Sequence, residues 1–96
     1  MTYKLKFLPS ALKEWNKLGE TVKTQLKKKL SERLENPEVP ADRLRGFHDH
    51  YKIKLRSSGY RLVYEVEKEA ITICVIAVSK RKRSFVYKSA NKRKGR

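Results

Sequence analysis

Acid is what this sequence runs short of. Of 96 residues only 10 are Asp or Glu, against 25 Lys and Arg, and no acid lies beyond Glu69. Residues 1–69 carry sixteen basic and all ten acidic side chains, net +6, while residues 70–96 carry nine basic side chains, all from Lys80 onward, net +9. A total of +15 repels itself and attracts polyanions. Nucleic acid is therefore the leading partner class, ahead of an anionic membrane or an acidic protein. Cysteine is nearly absent. Cys74 stands alone inside the apolar run AITICVIAV, so no internal disulfide can form and nothing argues for secretion. It reads as a small buried hydrophobe rather than a nucleophile. Histidine is scarce too. His48 and His50, in FHDH, have the look of acid–base groups or metal ligands, but two solvated histidines in a connection is the stronger reading, and no metal or other cofactor is expected. No apolar run approaches membrane-spanning length, and MTYKLKFLPS lacks the apolar core of a signal peptide. A soluble, cytoplasmic protein with no membrane partner is the expectation. Its 96 residues leave room for one core only.

With 4 Gly and 3 Pro, the few breakers punctuate the chain clearly. TYKLKFL alternates Tyr3, Leu5 and Phe7 with Lys4 and Lys6, a first strand with one buried face. Ser10 follows as a natural N-cap for ALKEWNKL, in which Ala11, Leu12, Trp15 and Leu18 recur at helical spacing before Gly19. A second helix spans about Thr21 to Asn36, with Val22, Leu26, Leu30 and Leu34 four apart, and Pro37 and Pro40 end it. Lys27, Lys28 and Lys29 lie mostly off that stripe and read as a solvated face rather than a dedicated binding patch. EVPADRLRGFHDH is a connection, and strands over 51–56, 60–66 and 70–78 follow, joined by SSG and EKEA. The last is apolar everywhere but Thr72, so it belongs in the sheet centre, covered on both faces. The expected fold is α+β, in the order β-α-α-β-β-β, with two helices on one face of a mainly antiparallel four-stranded sheet and room for a short C-terminal helix from Ser84. Residues 1–90 form the single domain, and 91–96 are a basic, disordered tail.

YKIKLRSSGYRLVY carries the chemistry. If the turn holds Ser58 and Gly59, Arg56 faces Arg61, Lys54 faces Val63 and Lys52 faces Glu65. Alternation then gathers Lys52, Lys54, Arg56 and Arg61 on one face and Ile53, Leu55, Tyr60, Leu62 and Tyr64 on the other. A slip of one residue buries Arg61 among apolar side chains, so the apolar pattern itself selects the arrangement that crowds the cations. Like charges directly opposite cost roughly 0.2–1 kcal/mol per pair. A merely solvated face mixes signs, so this one is read as phosphate-binding, and the helix-free face is expected to be open. Cleavage of RNA through its 2′-hydroxyl needs a base, an acid for the leaving 5′-oxygen, and cations for the charge that builds on phosphate. Crowding by cations disfavours a charged lysine, which makes Lys52 and Lys54 candidate proton movers. Arg61 and Arg81 stay charged and suit transition-state stabilisation, and Tyr87 is a candidate to stack on a base. Composition and spacing alone support RNA binding better than catalysis.

The sequence resembles the RelE family of bacterial toxins, the toxin halves of type II toxin–antitoxin pairs. The likeness runs from ALKEWNKLG through QLKKKL, RLRG and YKIKLRSSGYRLVYEV to VSKRKRSFVY, about residues 1–90. It implies a fold similar to small microbial ribonucleases and metal-free cleavage of mRNA in the ribosomal A site by attack of the 2′-hydroxyl. It assigns proton transfer chiefly to Lys54 with Lys52 in support, charge stabilisation to Arg61 and Arg81, with Arg81 also serving the leaving group, and stacking to Tyr87. Arg45 matches a position that helps bind RNA, and Arg56, Lys80, Lys82 and Arg83 are expected as further RNA contacts. The implied partners are a 70S-type ribosome with its mRNA and a cognate RelB-like antitoxin, with operator DNA reached only through the toxin–antitoxin complex. The family usually ends in an apolar helix. Phe85, Val86 and Ala90 suit a short one here, but KRKGR does not.

The expected function is thus a ribosome-dependent endoribonuclease that arrests growth. The alternative is a non-catalytic basic module that binds RNA, DNA or the ribosome. That alternative needs a basic face but not the particular set Lys52, Lys54, Arg61, Arg81 and Tyr87.

Overall fold

Strand β1 (Lys4–Phe7) leads into helix α1 (Pro9–Asn16) and then helix α2 (Glu20–Glu35) in the computed structural model, which describes residues 2–56 and 58–80. A 3-10 turn at Pro40–Asp42 opens the connection to β2 (His50–Lys54), β3 (Arg61–Glu67) and β4 (Thr72–Ser79). The expected order β-α-α-β-β-β is therefore present. Pro9 begins α1, where a missing N–H costs nothing. Leu8, extended at φ −65°, is its N-cap and makes no side-chain cap bond, so Ser10 lies inside the helix and does not cap it.

The sheet order is β1-β4-β3-β2. β4 pairs in parallel with β1 and antiparallel with β3, and β3 pairs antiparallel with β2, so the sheet is mixed. β4 is buried from Thr72 to Val78, as its unbroken apolar run requires of a strand covered on both faces. β1 is an edge strand, and the buried face expected of it is incomplete: Phe7 packs on the core, but Leu5 is 40% exposed.

Both helices cover one face. Ala11 and Trp15 of α1 and Leu26 and Leu30 of α2 meet Tyr51, Ile53, Leu55, Leu62, Tyr64, Val66, Ile73, Val75 and Val78. Each fully buried aliphatic side chain in such a layer contributes about 1.5–3 kcal/mol. The opposite face is not left open, contrary to the sequence expectation. Leu44 and Phe47 of the connection fold over Val63, Cys74, Ile76 and Ala77 in a second, smaller cluster. The cover is anchored where Leu44 N donates to the His50 carbonyl at 2.9 Å and Arg43 bridges to Tyr51. β4 carries a bulge beneath this cover. Val63 is opposite Ala77 but Tyr64 is opposite Val75, so Ile76 is the extra residue, and Ile76 and Ala77 join the same cluster.

Candidate functional site

The β2–β3 hairpin turns earlier than expected from its sequence, and its loop is longer. Lys54, not Arg56, lies opposite Arg61, Lys52 lies opposite Val63, and His50 lies opposite Glu65. The register is displaced by two residues because the chain closes through Leu55 and Tyr60. Leu55 N donates to the Tyr60 carbonyl at 2.9 Å, and Gly59 N donates to the Leu55 carbonyl at 2.8 Å. Gly59 takes φ +78°, a left-handed conformation that a residue with a Cβ rarely adopts. A displacement of two preserves side-chain parity, so Lys52, Lys54 and Arg61 still share a face. Arg56 does not join them on a strand. It sits exposed in the turn beyond β2, at the mouth of a cleft of about 270 Å³ that Lys54 and Arg61 also line.

Arg61 in turn lies opposite Ser79, so Lys54, Arg61 and Ser79 form a row across three strands at one end of the sheet. Without the bulge the alternation along β4 would set Val78 rather than Ser79 in that row. The next row holds Lys52, Val63 and Ala77, beside the Leu44–Phe47 cover. The acids come later, at Glu65 and Glu67, where Glu67 accepts Lys6 Nζ at 3.1 Å. The face is therefore divided: cations gather at the hairpin end and acids at the other. Lys54 is exposed, whereas Lys52 and Arg61 are half-buried. The Arg61 Nε is buried and has no hydrogen-bond partner among the described residues. A half-buried guanidinium beside a lysine can bind an oxyanion through its exposed part. Lys80 follows this row, its Nζ 5.9 Å from the centre of the Tyr60 ring. Arg45 is exposed on the connection flanking β2. Arg81, Lys82, Arg83 and Tyr87, the helix expected from Ser84 and the tail 91–96 lie outside the described residues.

Sequence reasoning missed the support beneath this face. Arg33, at the end of α2, is only 15% exposed. Its Nη1 donates to the Tyr64 hydroxyl at 2.9 Å and the Lys52 carbonyl at 3.3 Å, and its Nη2 pairs with the Asp42 carboxylate. Tyr64 donates onward to the Pro37 carbonyl at 2.7 Å and stacks on Tyr51. Burial raises the Tyr64 pKa above its ordinary value, with the Arg33 bond acting against it. One guanidinium thus ties α2, the 3-10 turn and β2 together from the helix side, directly behind Lys52. The signal was available, since Arg33 falls three after Leu30 and seven after Leu26, on the buried side of α2.

The two histidines part company. His48 is 89% exposed and pairs with Asp49 at 3.0 Å, as a solvated residue should. His50, expected to be solvated, is buried against Phe47, and its Nδ1 lies 2.7 Å from the His48 carbonyl. Strand alternation carries it under the connection. Among the described residues no cluster of His, Cys, Asp or Glu is arranged to hold a metal ion.

Residues 5–85 match the family model described as the ParE toxin of type II toxin–antitoxin systems, parDE. The mRNA interferase toxin RelE of Escherichia coli K12 is 61% identical over 93 residues, which are 97% of this chain and 98% of that protein. A solved structure of E. coli toxin RelE, a double arginine-to-alanine mutant in the free state, superposes with a TM-score of 0.90 at 59% identity, covering 97% of this chain and 98% of that one. The toxin of the intact E. coli RelBE toxin–antitoxin complex superposes with a TM-score of 0.82 at 60% identity, covering 84% of this chain and 99% of that one.

Proposed function

The chain belongs to the RelE toxins, within the ParE toxin family of type II toxin–antitoxin systems, and from that premise we propose that it is an mRNA interferase that cleaves message in the ribosomal A site. The 2′-hydroxyl of the message attacks the adjacent phosphorus, its proton passes to Lys54 with Lys52 in support, and the 5′-oxygen leaves with a proton. Arg61 binds the phosphate oxygens as charge builds on them. By resemblance Arg81 shares that role and serves the leaving group, while Tyr87 stacks on a base. Lys80, Arg45 and Arg56, with Lys82 and Arg83, hold neighbouring RNA phosphates.

The observation that carries this reading is the pairing of Lys54 with Arg61 at the hairpin end of the sheet. A proton-moving group and a fixed cation stand on adjacent strands, where Cβ atoms lie about 4.5–5.5 Å apart and both groups can reach one phosphate. A ribosome that fixes the message for in-line attack supplies much of the rate through orientation. The ribosome also sets the place of action, the cytoplasm, and no helix among the described residues is long and apolar enough to cross a membrane. A RelB-like antitoxin is the cognate partner and silences the toxin, as the RelBE complex of the relative supports. Operator DNA is reached only through that pair. Mapping message 5′ ends in a translation extract, with and without the protein, tests the reading. New ends inside A-site codons are expected, and an unchanged end map with the protein bound to ribosomes refutes it.

A further inference from the structure

Lys54 and Arg56 border a second feature that the proposed reaction does not use. An open groove of about 590 Å³ runs between the hairpin and α2. Lys54, Leu55 and Arg56 line it from the hairpin, and Gln25, Lys28, Lys29 and Glu32 line it from α2. Four cations thus face one acid. None of the four has a salt bridge among the described residues, whereas Lys6, Arg33 and Lys68, away from the groove, are all paired with carboxylates. Unpaired cations gathered from α2, β2 and the turn after it raise a local positive potential that an anionic ligand relieves.

We propose that this groove is a backbone-binding track for RNA, in which Lys28 and Lys29 hold phosphates of the strand that leaves the candidate site past Lys54. The inference rests on the proposed function for its partner class. Lys54 belongs to both the candidate site and the groove, so a polyanion seated at one extends into the other. An acidic protein segment fits less well. Protein partners anchor on buried aromatic or aliphatic side chains, and the single apolar residue here, Leu55, is already buried in the core. The exposure of Lys28 and Lys29 expected from the sequence is present, but their surroundings assign them a ligand rather than only solvent.

The test is equilibrium binding of K28Q/K29Q to ribosomes programmed with a message carrying 2′-deoxyribose at the A-site codon, which blocks cleavage and reads affinity alone. Loss of two phosphate contacts should lower the slope of log affinity against log salt by about 1.4–1.8, and the affinity itself by about 25- to 60-fold at 0.1 M salt. K27Q, also on α2 but outside the groove, should retain the parental slope. Two messages separate the sources of the phosphate. If the defect vanishes on a message that ends just after the A-site codon, the track holds message as proposed; if it persists, the groove contacts ribosomal RNA instead and the message track is overturned. A parental slope and affinity in K28Q/K29Q overturns the track. So does a loss confined to binding of the antitoxin. Because the message cannot be cleaved, the track and the catalytic reading fail independently: a parent protein that binds by this groove yet leaves normal messages intact sinks only the catalysis.

Discussion

Replacing Arg33 by Met removes the clamp behind the candidate site while keeping most of the apolar bulk. The guanidinium makes three contacts: one to a carboxylate, one to the Tyr64 hydroxyl at 2.9 Å, and one to the Lys52 carbonyl at 3.3 Å. Hydrogen bonds to charged groups are worth about 1.5–3 kcal/mol each, but the contacts here are not additive. The Lys52 contact is long, Asp42 is 28% exposed and regains water, and Tyr64 keeps its bond to Pro37. The expected loss is therefore about 2–4 kcal/mol, the strong pair plus a fraction of the rest. For a domain of this size that lowers Tm by about 10–25 °C. Arg33→Lys should recover part of the loss, because an ammonium can pair with Asp42 but cannot span all three acceptors. Urea and thermal denaturation monitored by circular dichroism measure both. Where both proteins are still folded, Arg33→Met should also cleave more slowly than the parent, since the strand carrying Lys52 is less tightly held. A stability loss below about 1 kcal/mol, or Lys and Met variants of equal stability, would show that the network contributes little and that the reasoning is wrong.

Arg61→Ala should reduce single-turnover cleavage on programmed ribosomes by roughly 10²–10³-fold while weakening ribosome binding far less, because its charge acts mainly in the transition state. It should fold normally, being off the helix-covered face, and a rate lost only in proportion to binding would favour a non-catalytic module. Lys54→Ala should be at least as damaging and should change the shape of the pH–rate profile, which a mere phosphate contact would leave alone. Free RNA of the same sequence should be cleaved slowly or not at all, and a chelator that spares the ribosome should leave cleavage intact; comparable rates on free and ribosome-bound message would refute the requirement for the ribosome. At alkaline pH the fold should weaken through its buried tyrosines. Burial first of all raises the Tyr64 and Tyr51 pKa values above their ordinary 10.0. Their stabilisation is thus complete below about pH 10 and is lost as pH rises through the folded values. Tyr64→Phe should flatten that limb in urea titrations between pH 9 and 11, and an unchanged limb would exclude Tyr64 as its source.

The parts of this protein legible in its sequence are those written in short-range period. The apolar run of β4 marked a strand buried on both faces, and Leu26 and Leu30 marked the side of α2 that meets the sheet. Alternation along YKIK and YRLVY put Lys52, Lys54 and Arg61 on one face, and that conclusion survived a wrong turn. The observed hairpin differs from the expected one by two residues, and a period of two cannot register such a difference. Residue chemistry made Arg81 and Tyr87 candidates, and the resemblance gave them their particular roles.

What the tertiary structure decided depends on pairing between distant segments. Which cation stands opposite Arg61 is set by the turn through Gly59, not by the pattern of either strand. The bulge at Ile76 decides that Ser79 shares the row of Arg61. The Leu44–Phe47 cover closes part of a face expected to be open and buries His50 against Phe47. Arg33 acquires its role only when Asp42, Tyr64 and the Lys52 carbonyl converge on it from three separate elements. Local pattern determines which side of an element is greasy and which is charged, because that is a property of neighbours along the chain. Which charged groups meet, and which are left with a face to offer a ligand, is a property of neighbours in space.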